Sequence, residues 1–219
     1  MRQLFAPGAD AWLRLAMLSL LLLVGASALT LELLQHSSYI SRVGIAPEQP
    51  VPFSHKHHVG ELGLDCRYCH TGVEASASAG LPPTHTCMTC HSQLWTGAAM
   101  LAPVRDSLAH DMPLAWVRVN RLPDYVYFNH SIHVAKGVGC SSCHGAIDRM
   151  QLTARAQNLS MQFCLDCHRN PAMRLRNPDQ VWNTEWMPPA DQAARGKALL
   201  AQYHIRSGAQ LSDCSVCHR

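Results

Sequence analysis

FSHKHHVGELGLDCRYCH, residues 53–70, is the stretch that decides the fold, because it begins with F-x-H-x-x-H and ends with C-x-x-C-H. The second pattern is the signature of c-type haem attachment. The thiols of Cys66 and Cys69 would each form a thioether with a haem vinyl group, and His70 would lie under the iron as the proximal ligand. One copy alone would be weak evidence, since it could arise by chance or belong to a zinc site.

All ten cysteines of the 219-residue chain fall into five such motifs, which we number as sites 1 to 5 in chain order. Zinc ribbons pair their C-x-x-C units without a fixed histidine after each one, and disulfide scaffolds need no histidine at all. The pattern therefore predicts five haem c groups, held by Cys66, Cys69 and His70; Cys87, Cys90 and His91; Cys140, Cys143 and His144; Cys164, Cys167 and His168; and Cys214, Cys217 and His218.

The composition limits which fold classes and which binding partners are possible. A formal net charge of +3 with 15% charged residues leaves no basic stripe suited to nucleic acid. Residues 45–219 give 175 residues for five motifs, or 175/5 = 35 for each, so the macrocycles are expected to form the hydrophobic core. With 13 glycines and 13 prolines, the sequence predicts a mostly coil multihaem cytochrome c fold with short α-helices and little sheet.

An apolar segment near the N-terminus predicts a single transmembrane helix. Leu15 to Leu31 carries no charge, and apolar neighbours extend the predicted anchor to residues 13–34. About twenty apolar residues span a bilayer core as a helix. Arg2 and Arg14 precede the uncharged run Leu15 to Leu31, and positive charges of this kind mark the cytoplasmic side. This predicts a cytoplasmic N-terminus over residues 1–12 and a periplasmic pentahaem domain over 45–219, on the outer side of a bacterial inner membrane.

A cleaved signal peptide is the competing interpretation of this segment. Ala26-Ser27-Ala28 resembles a signal-peptidase site. The apolar run continues past that site to Leu34 instead of turning polar, which favours a retained anchor. Both interpretations place the rest of the chain outside the cytoplasm.

The chain also repeats itself with an offset of 75 residues. FSHKHH at 53–58 and FNHSIH at 128–133 share the pattern F-x-H-x-x-H, and each copy is followed by two C-x-x-C-H motifs. The last histidine lies eight residues before the first cysteine in one copy and seven in the other. The predicted organisation is a di-haem module (53–91), a proline-broken linker (92–124), a second di-haem module (128–168) and a C-terminal haem segment (190–219) with a helix from Ala190 to Tyr203.

The repeat supplies four candidate distal iron ligands, His55, His58, His130 and His133. Two histidines three residues apart project from one helical turn at an angle, so each could serve a different haem. We expect His57, which lies between two of the candidates, to be exposed or hydrogen-bonded, and His36 to lie at the membrane interface.

The fifth distal ligand is left open among several residues. Met161 lies three residues before Cys164, and methionine is a haem ligand that raises the potential relative to bis-histidine. Met161 could instead simply pack, as methionines usually do. The rivals are His85, His110 and His204, and an iron without a distal ligand is a further alternative. Since the chain has enough ligands for five six-coordinate irons, electron transfer is favoured over substrate chemistry at an open iron.

Several motifs together resemble one family. They are FSHKHH (53–58), PPT (82–84) before CMTCHS (87–92), PDYVYFNH (123–130), SM (160–161) before CLDCHR (164–169) and CHR (217–219). With the single anchor, they resemble the pentahaem cytochrome c subunit of alternative complex III, a quinol:electron-acceptor oxidoreductase of bacterial respiratory and photosynthetic chains. The resemblance covers nearly the whole chain.

This resemblance implies a set of partners. Quinol oxidation would take place in a polytopic membrane subunit, and electrons would pass through an iron–sulfur subunit to this chain. The chain would relay them to a monohaem cytochrome c subunit or a soluble electron acceptor, without being catalytic alone. The alternative is a stand-alone quinol dehydrogenase of the four-haem type that feeds a periplasmic reductase; five motifs and the 75-residue duplication count against it.

Overall fold

The computed structural model describes residue 6 and residues 8–218. These residues form two compact units that divide between Arg42 and Val43. Arg2 and Arg219, which entered the predictions above, lie outside the described residues. The described chain contains short helices and coil, and its only β-structure is a set of three isolated bridges. The prediction of a mostly coil fold with short helices and little sheet is therefore confirmed.

The first unit is dominated by one long helix, α1 (Ala9–His36), followed by the short α2 (Ser38–Ser41). Leucine and alanine have high helix propensity, and Ser37 ends α1 by adopting an extended conformation whose N–H donates to the carbonyl of Leu34. The helix has a mean hydropathy of 2.1 over its most apolar 18-residue window, none of which is buried. At about 1.5 Å per residue, its 28 residues are long enough to cross a bilayer core.

The second unit carries all five C-x-x-C-H motifs on or beside short helices. A six-residue π-helical segment, Lys56–Glu61, precedes them. The α-helices are α3 (Cys66–Cys69), α4 (Thr84–His91), α5 (Ala102–Ala109), α6 (His130–Ala135), α7 (Ser141–His144), α8 (Met161–Arg169), α9 (Gln192–Gln202), α10 (Gly208–Leu211) and α11 (Cys214–Cys217). Single 3₁₀ turns occur at Ala99–Leu101, Ile147–Arg149, Pro171–Arg174 and Pro178–Gln180.

Protein side chains form only a thin apolar core. In the described part of the second unit, the buried apolar side chains are Val51, Val73, Leu101, Val104, Leu175, Val181 and Leu199. The interior of a domain of this size is normally close-packed with many more apolar side chains. This thin core fits a fold in which large apolar groups complete the interior, as the sequence predicted for haem.

Two segments of the second unit pack through identifiable contacts. In residues 92–124, α5 packs on α4, and Leu101 and Val104 cover Val51 and the start of site 2. Near the C-terminus, α9 packs on the turn Pro171–Arg174, where the Gln192 side chain donates to the carbonyls of Ala172 and Leu175. The observed α9 lies within the helix predicted from Ala190 to Tyr203.

Candidate haem sites

Each C-x-x-C-H motif contains a helical turn that brings its two cysteines to one side. At sites 1, 3 and 5 the N–H of the motif histidine donates to the carbonyl of the first cysteine at 2.9 Å. Residues three apart on a helix are neighbours on its surface. Asp65 and Asp213 cap the turns at sites 1 and 5, and Ser160 caps α8 at site 4. The sequence therefore folds locally into the shape that double thioether attachment requires.

Four of the five motif histidines face one histidine of the F-x-H-x-x-H repeats across a constant gap. The ring centroids lie 6.2–6.4 Å apart in all four pairs. The pairs are His55 with His70 at site 1, His58 with His91 at site 2, His130 with His144 at site 3, and His133 with His168 at site 4.

This gap matches the space that one iron occupies between two imidazoles. A metal–imidazole bond is about 2 Å long, and a ring nitrogen lies about 1.1 Å from the ring centre, so two rings on opposite sides of one metal would have centroids about 6.3 Å apart. Aromatic rings in ordinary contact have centroids about 4.5–7 Å apart, so the distance in one pair does not decide between contact and coordination. What points to a metal is that the same distance recurs in four pairs, each of which contains one motif histidine. The observed separation therefore fits bis-histidine coordination, and the four candidate distal histidines selected from the sequence are those that face a motif histidine.

Hydrogen bonds from Nδ1 to backbone carbonyls fix the tautomer of seven of these rings. Carbonyl oxygens accept from Nδ1 at distances of 2.7–3.2 Å, and a threonine hydroxyl partners Nδ1 of His55 at 2.8 Å. The pairs of histidine and carbonyl residue are His58 with Ser54, His70 with Gly80, His91 with Leu94, His130 with Ala77, His133 with Asn129, His168 with Leu211, and His218 with Tyr125. A proton on Nδ1 leaves the Nε2 lone pair for a metal, the arrangement in which outer hydrogen bonds orient a ligand.

The ninth ring, that of His144, has a side-chain partner. The amide nitrogen of Asn120 lies 3.1 Å from its Nδ1, while the amide oxygen of Asn120 is buried without a partner. Amide oxygen and nitrogen are exchanged by a simple flip of the group. In the flipped orientation Nδ1–H of His144 donates to the Asn120 oxygen, so this ring also presents Nε2 as a lone pair.

The phenylalanine of each repeat holds both histidine rings in place. Phe53 stacks on His58 with ring centroids 4.4 Å apart and meets His55 edge-on at 4.9 Å. Phe128 stacks on His133 at 4.5 Å and meets His130 edge-on at 4.8 Å. Since aromatic pairs favour these offset and edge-to-face arrangements, the phenylalanine orients two rings at different angles from one turn.

The two repeats differ by one residue, and the backbone shows how the difference is absorbed. The first repeat continues from His55 into the π-helical segment Lys56–Glu61, whereas the second forms the α-helix α6. A π-helical turn holds one more residue than an α-helical turn. The extra residue between His58 and Cys66 is thus taken up locally, and the pairs at sites 1 and 3 have the same centroid distance of 6.4 Å and the same interplanar angle of 9°.

The two modules interlock reciprocally. The ring of His55 is held by Thr153, and the N–H of Lys56 donates to Met150, in the segment that follows site 3. His130 is held at both its backbone N–H and its ring by Ala77, in the segment that follows site 1. Each module therefore supplies a hydrogen-bond partner that orients a candidate ligand of the other.

Contacts between motifs order the sites in space. Tyr68 of site 1 and Thr89 of site 2 share a hydrogen bond of 2.9 Å. Hydrogen bonds join the segment after site 1 to the ligand turn of site 3, where Ala77 and Ser76 accept from His130 and Ser131, and the segment after site 3 to His55 of site 1. These contacts place sites 1 and 3 side by side. The α6 turn links sites 3 and 4. The contact of the His168 ring with Leu211 joins site 4 to site 5. The order is therefore 2–1–3–4–5.

Burial favours the neutral form of four of the candidate ligand rings by lowering their pKa values. It lowers the pKa of His55 to about 4, and the same cause lowers the pKa of His144 to about 4. The pKa values of His58 and His133 are also lowered, again mainly by burial. A group with a lowered pKa stays neutral until the pH falls to that value, so these rings are in the metal-binding form at neutral pH.

Site 5 differs from the other four. The nearest aromatic ring to His218 is that of Tyr125, at 5.8 Å, and the Tyr125 carbonyl accepts from Nδ1 of His218. Met161 begins α8 with its side chain 67% exposed. The three rival histidines, His85, His110 and His204, are also exposed. The assignment of Met161 as the fifth distal ligand stays a prediction.

Neither of the two remaining histidines faces a motif histidine, although the ring of His57 meets that of His58 edge-on at 5.4 Å. Nδ1 of His57 contacts Glu61 at 2.9 Å and its ring stacks on Trp95, as expected of a side chain that is exposed and hydrogen-bonded. His36 contacts Glu32 at the end of α1, and both side chains are exposed.

The interplanar angles predict distinguishable electron paramagnetic resonance signals. The rings are nearly parallel at sites 1 and 3, 25° apart at site 4 and 64° apart at site 2. In ferric low-spin haem, near-perpendicular imidazoles give a much more axial spectrum than parallel ones. We expect one strongly axial signal, from site 2, beside rhombic signals from sites 1, 3 and 4. A spectrum without an axial component would contradict the pairing of His58 with His91.

Comparison with known proteins agrees with this geometry. Residues 126–219, which contain sites 3, 4 and 5, match the family model of cytochrome c7 and related cytochrome c. The chain is 36% identical over 176 residues to the multihaem cytochrome c subunit of menaquinone reductase from Nitratidesulfovibrio vulgaris (strain Hildenborough). The alignment covers 78% of this chain and 77% of that relative.

Proposed function

Since this chain belongs to the family of multihaem c-type cytochromes that includes the menaquinone reductase subunit, we propose that it relays electrons between a quinone-reactive membrane complex and a periplasmic redox partner. The observation that carries the proposal is the set of four imidazole pairs with centroids 6.2–6.4 Å apart, each containing one C-x-x-C-H histidine. Four saturated irons in one small domain suit electron transfer and leave no open position for a substrate.

We propose that the chain holds five haem c groups. The ten cysteines would form the thioethers, and the five motif histidines would be the proximal ligands. His55, His58, His130 and His133 would be the distal ligands at sites 1 to 4, as the ring pairs support, and Met161 is the proposed distal ligand at site 5. When bound, the haems supply one-electron exchange at tunnelling distance.

The protein's own residues then control three properties of the relay. The Nδ1 hydrogen bonds hold each imidazole in the tautomer and orientation that bind iron. The burial of the ring pairs limits the access of water and so tunes the potential. The packing of the motifs in the order 2–1–3–4–5 places sites 2 and 5 at the two ends of the row, where donor and acceptor proteins would dock.

The N-terminal helix would keep this relay at the membrane. The length and hydropathy of α1, together with the family relationship, support a membrane-anchored protein. The proposed orientation, with the second unit in the periplasm, agrees with the attachment of c-type haem outside the cytoplasmic membrane. A single helix is too small to build a quinone pocket alone, which supports a separate membrane subunit that reacts with quinone.

Two directions of electron flow are candidates. The motif resemblance to alternative complex III favours flow from a quinol-oxidising polytopic subunit and an iron–sulfur subunit, through this chain, to a monohaem cytochrome c or a soluble acceptor. The name of the related menaquinone reductase favours the opposite direction, with electrons entering from the periplasm and reducing menaquinone. Both candidates assign the same relay role to the five sites.

The test is to extract the membranes with mild detergent and follow covalent haem through size separation. We expect the haem-stained chain in a large assembly that oxidises a menaquinol analogue with ferricytochrome c, or reduces a menaquinone analogue with a reduced periplasmic cytochrome. The isolated chain, tested in parallel, should exchange electrons with the cytochrome and be inactive towards either quinone species. Quinol oxidation by the isolated chain alone would instead support the stand-alone dehydrogenase.

A further inference from the structure

Arg176 is a buried cation in contact with the attachment loop of site 3. Only 4% of its surface is exposed. One guanidinium nitrogen donates to Ser141 at 2.9 Å and lies 3.3 Å from the Ser142 hydroxyl, and these serines are the two residues between Cys140 and Cys143. The motif itself is thus clamped by this arginine.

The close approach of the guanidinium depends on glycine. An added side-chain carbon at Gly139 would collide with the guanidinium of Arg176, and one at Gly137 would collide with its carbonyl oxygen. The Trp186 ring also lies against the guanidinium, with its centroid 4.3 Å from the guanidinium carbon. The backbone that enters site 3 is therefore shaped to fit the cation closely.

No carboxylate neutralises Arg176 among the described residues. Its protein partners are neutral: the two serine hydroxyls and the carbonyls of Gln180 and Asn183. Its Nε–H is buried without an acceptor. Arginine remains protonated in proteins, and a buried unpaired charge acts over a longer range than one screened by water.

Site 1, the counterpart of site 3 in the repeat, has an arginine of a different kind. Arg67 lies between Cys66 and Cys69 and also covers a tryptophan ring, that of Trp182, at 4.8 Å. Its charge is compensated by Asp65 at 2.8 Å and Glu74 at 3.8 Å, and its side chain is 45% exposed. The ligand rings of the two sites have the same distance and angle, although the groups that hold their Nδ1 atoms differ. In charge, the two sites differ because the arginine at site 3 is buried with no carboxylate partner among the described protein residues.

We propose that Arg176 raises the reduction potential of site 3 above that of site 1, which gives the row of sites a direction. A fixed positive charge stabilises the reduced form of a nearby iron, because reduction removes one positive charge from the iron. The difference would favour electron occupancy on the side of the row that holds sites 3, 4 and 5. This inference rests on the proposed attachment of haem at both sites.

The experiment is an electron paramagnetic resonance redox titration of the full-length protein, following the rhombic signal that sites 1 and 3 share. In Arg176→Gln we expect the reduced-to-oxidised ratio of the site 3 component to fall about tenfold at a fixed solution potential. This corresponds to a fall of about 59 mV in its reduction potential for a one-electron couple. Arg176→Lys keeps the charge and should keep most of the potential. Arg67→Gln is the matched control at site 1. It should change the reduction potential of neither the site 1 nor the site 3 component by a comparable amount.

A second variant covers the case in which Arg176→Gln fails to fold. Ser141→Asp places a carboxylate where a hydroxyl now accepts from Arg176. This neutralises the cation without removing it, so we expect the same fall in the reduction potential of site 3. The inference would be overturned if the reduction potentials of both components were unchanged in a variant that retains full covalent haem. It would also be overturned if Arg176→Lys lowered the reduction potential as much as Arg176→Gln does. A wild-type protein without covalent haem would instead refute the proposed function, so the two failures are distinguishable.

Discussion

His130→Ala is expected to create one new carbon monoxide-binding iron per chain. The ring of His130 faces His144 at 6.4 Å and is held by the carbonyl of Ala77. Without it, the iron at site 3 would keep only His144 and become five-coordinate, because alanine offers no ligand atom. Carbon monoxide titration of the dithionite-reduced protein should show an increase of about one bound molecule per chain over the wild type.

The control for this experiment is another histidine, His36→Ala, which is not among the ligand candidates. Its ring is exposed and contacts Glu32 within α1. We expect this variant to bind carbon monoxide as the wild type does, and to retain its haem content. If His130→Ala also left carbon monoxide binding unchanged at full haem content, His130 would not be the ligand at site 3, and the interpretation of the ring pairs would fail.

The second large effect is expected for stability, in Gly196→Val. Gly196 is buried in α9, and an added side-chain carbon there would collide with the backbone carbonyl of Ala172 in the turn Pro171–Arg174. Because backbone atoms cannot move aside as a flexible side chain can, α9 would separate from this turn. We expect a loss of about 3 kcal/mol or more in the free energy of unfolding. For a chain of this size, that corresponds to a fall of about 10 °C in Tm.

Thermal unfolding of the intact protein, followed by the Soret circular dichroism, measures this change. Ala194→Val makes a comparable substitution on the exposed side of the same helix and should lower Tm by no more than about 2 °C, which corresponds to the small cost of a β-branched residue in a helix. Equal melting temperatures for Gly196→Val and Ala194→Val would show that the contact between α9 and Ala172 does not stabilise the domain.

The sequence was a good guide to the identity of the candidate ligands. The C-x-x-C-H motifs carry their own geometry, because the helical spacing of two cysteines and the adjacent histidine are local properties. The F-x-H-x-x-H repeat was similarly informative, since a phenylalanine and two histidines within one turn hold the same relative positions wherever the turn lies. The sequence also predicted α1, from its long uncharged apolar run, and a helix from Ala190 to Tyr203 that contains α9, because both patterns extend over several turns.

The sequence did not reveal the residues that support these ligands. Thr153 contacts His55 from 98 residues away, and Ala77 contacts His130 from 53 residues away. A backbone carbonyl has no sequence signature, and a lone threonine has no pattern to distinguish it. Arg176 was missed for the same reason, because an arginine is unusual only when it is buried without a carboxylate, and burial is not written in the sequence.

What the sequence by itself determined is the local chemistry: the five attachment motifs, the apolar helix near the N-terminus, and the histidines that serve as candidate distal ligands. Only the tertiary structure decided which histidine faces which motif, how a π-helical turn absorbs the extra residue of the first repeat, and in what order the sites lie. The physical reason is the separation along the chain over which each feature is determined. Thiol spacing and helix periodicity are set within a few residues, whereas the row of sites depends on two modules that interlock across more than fifty residues of chain.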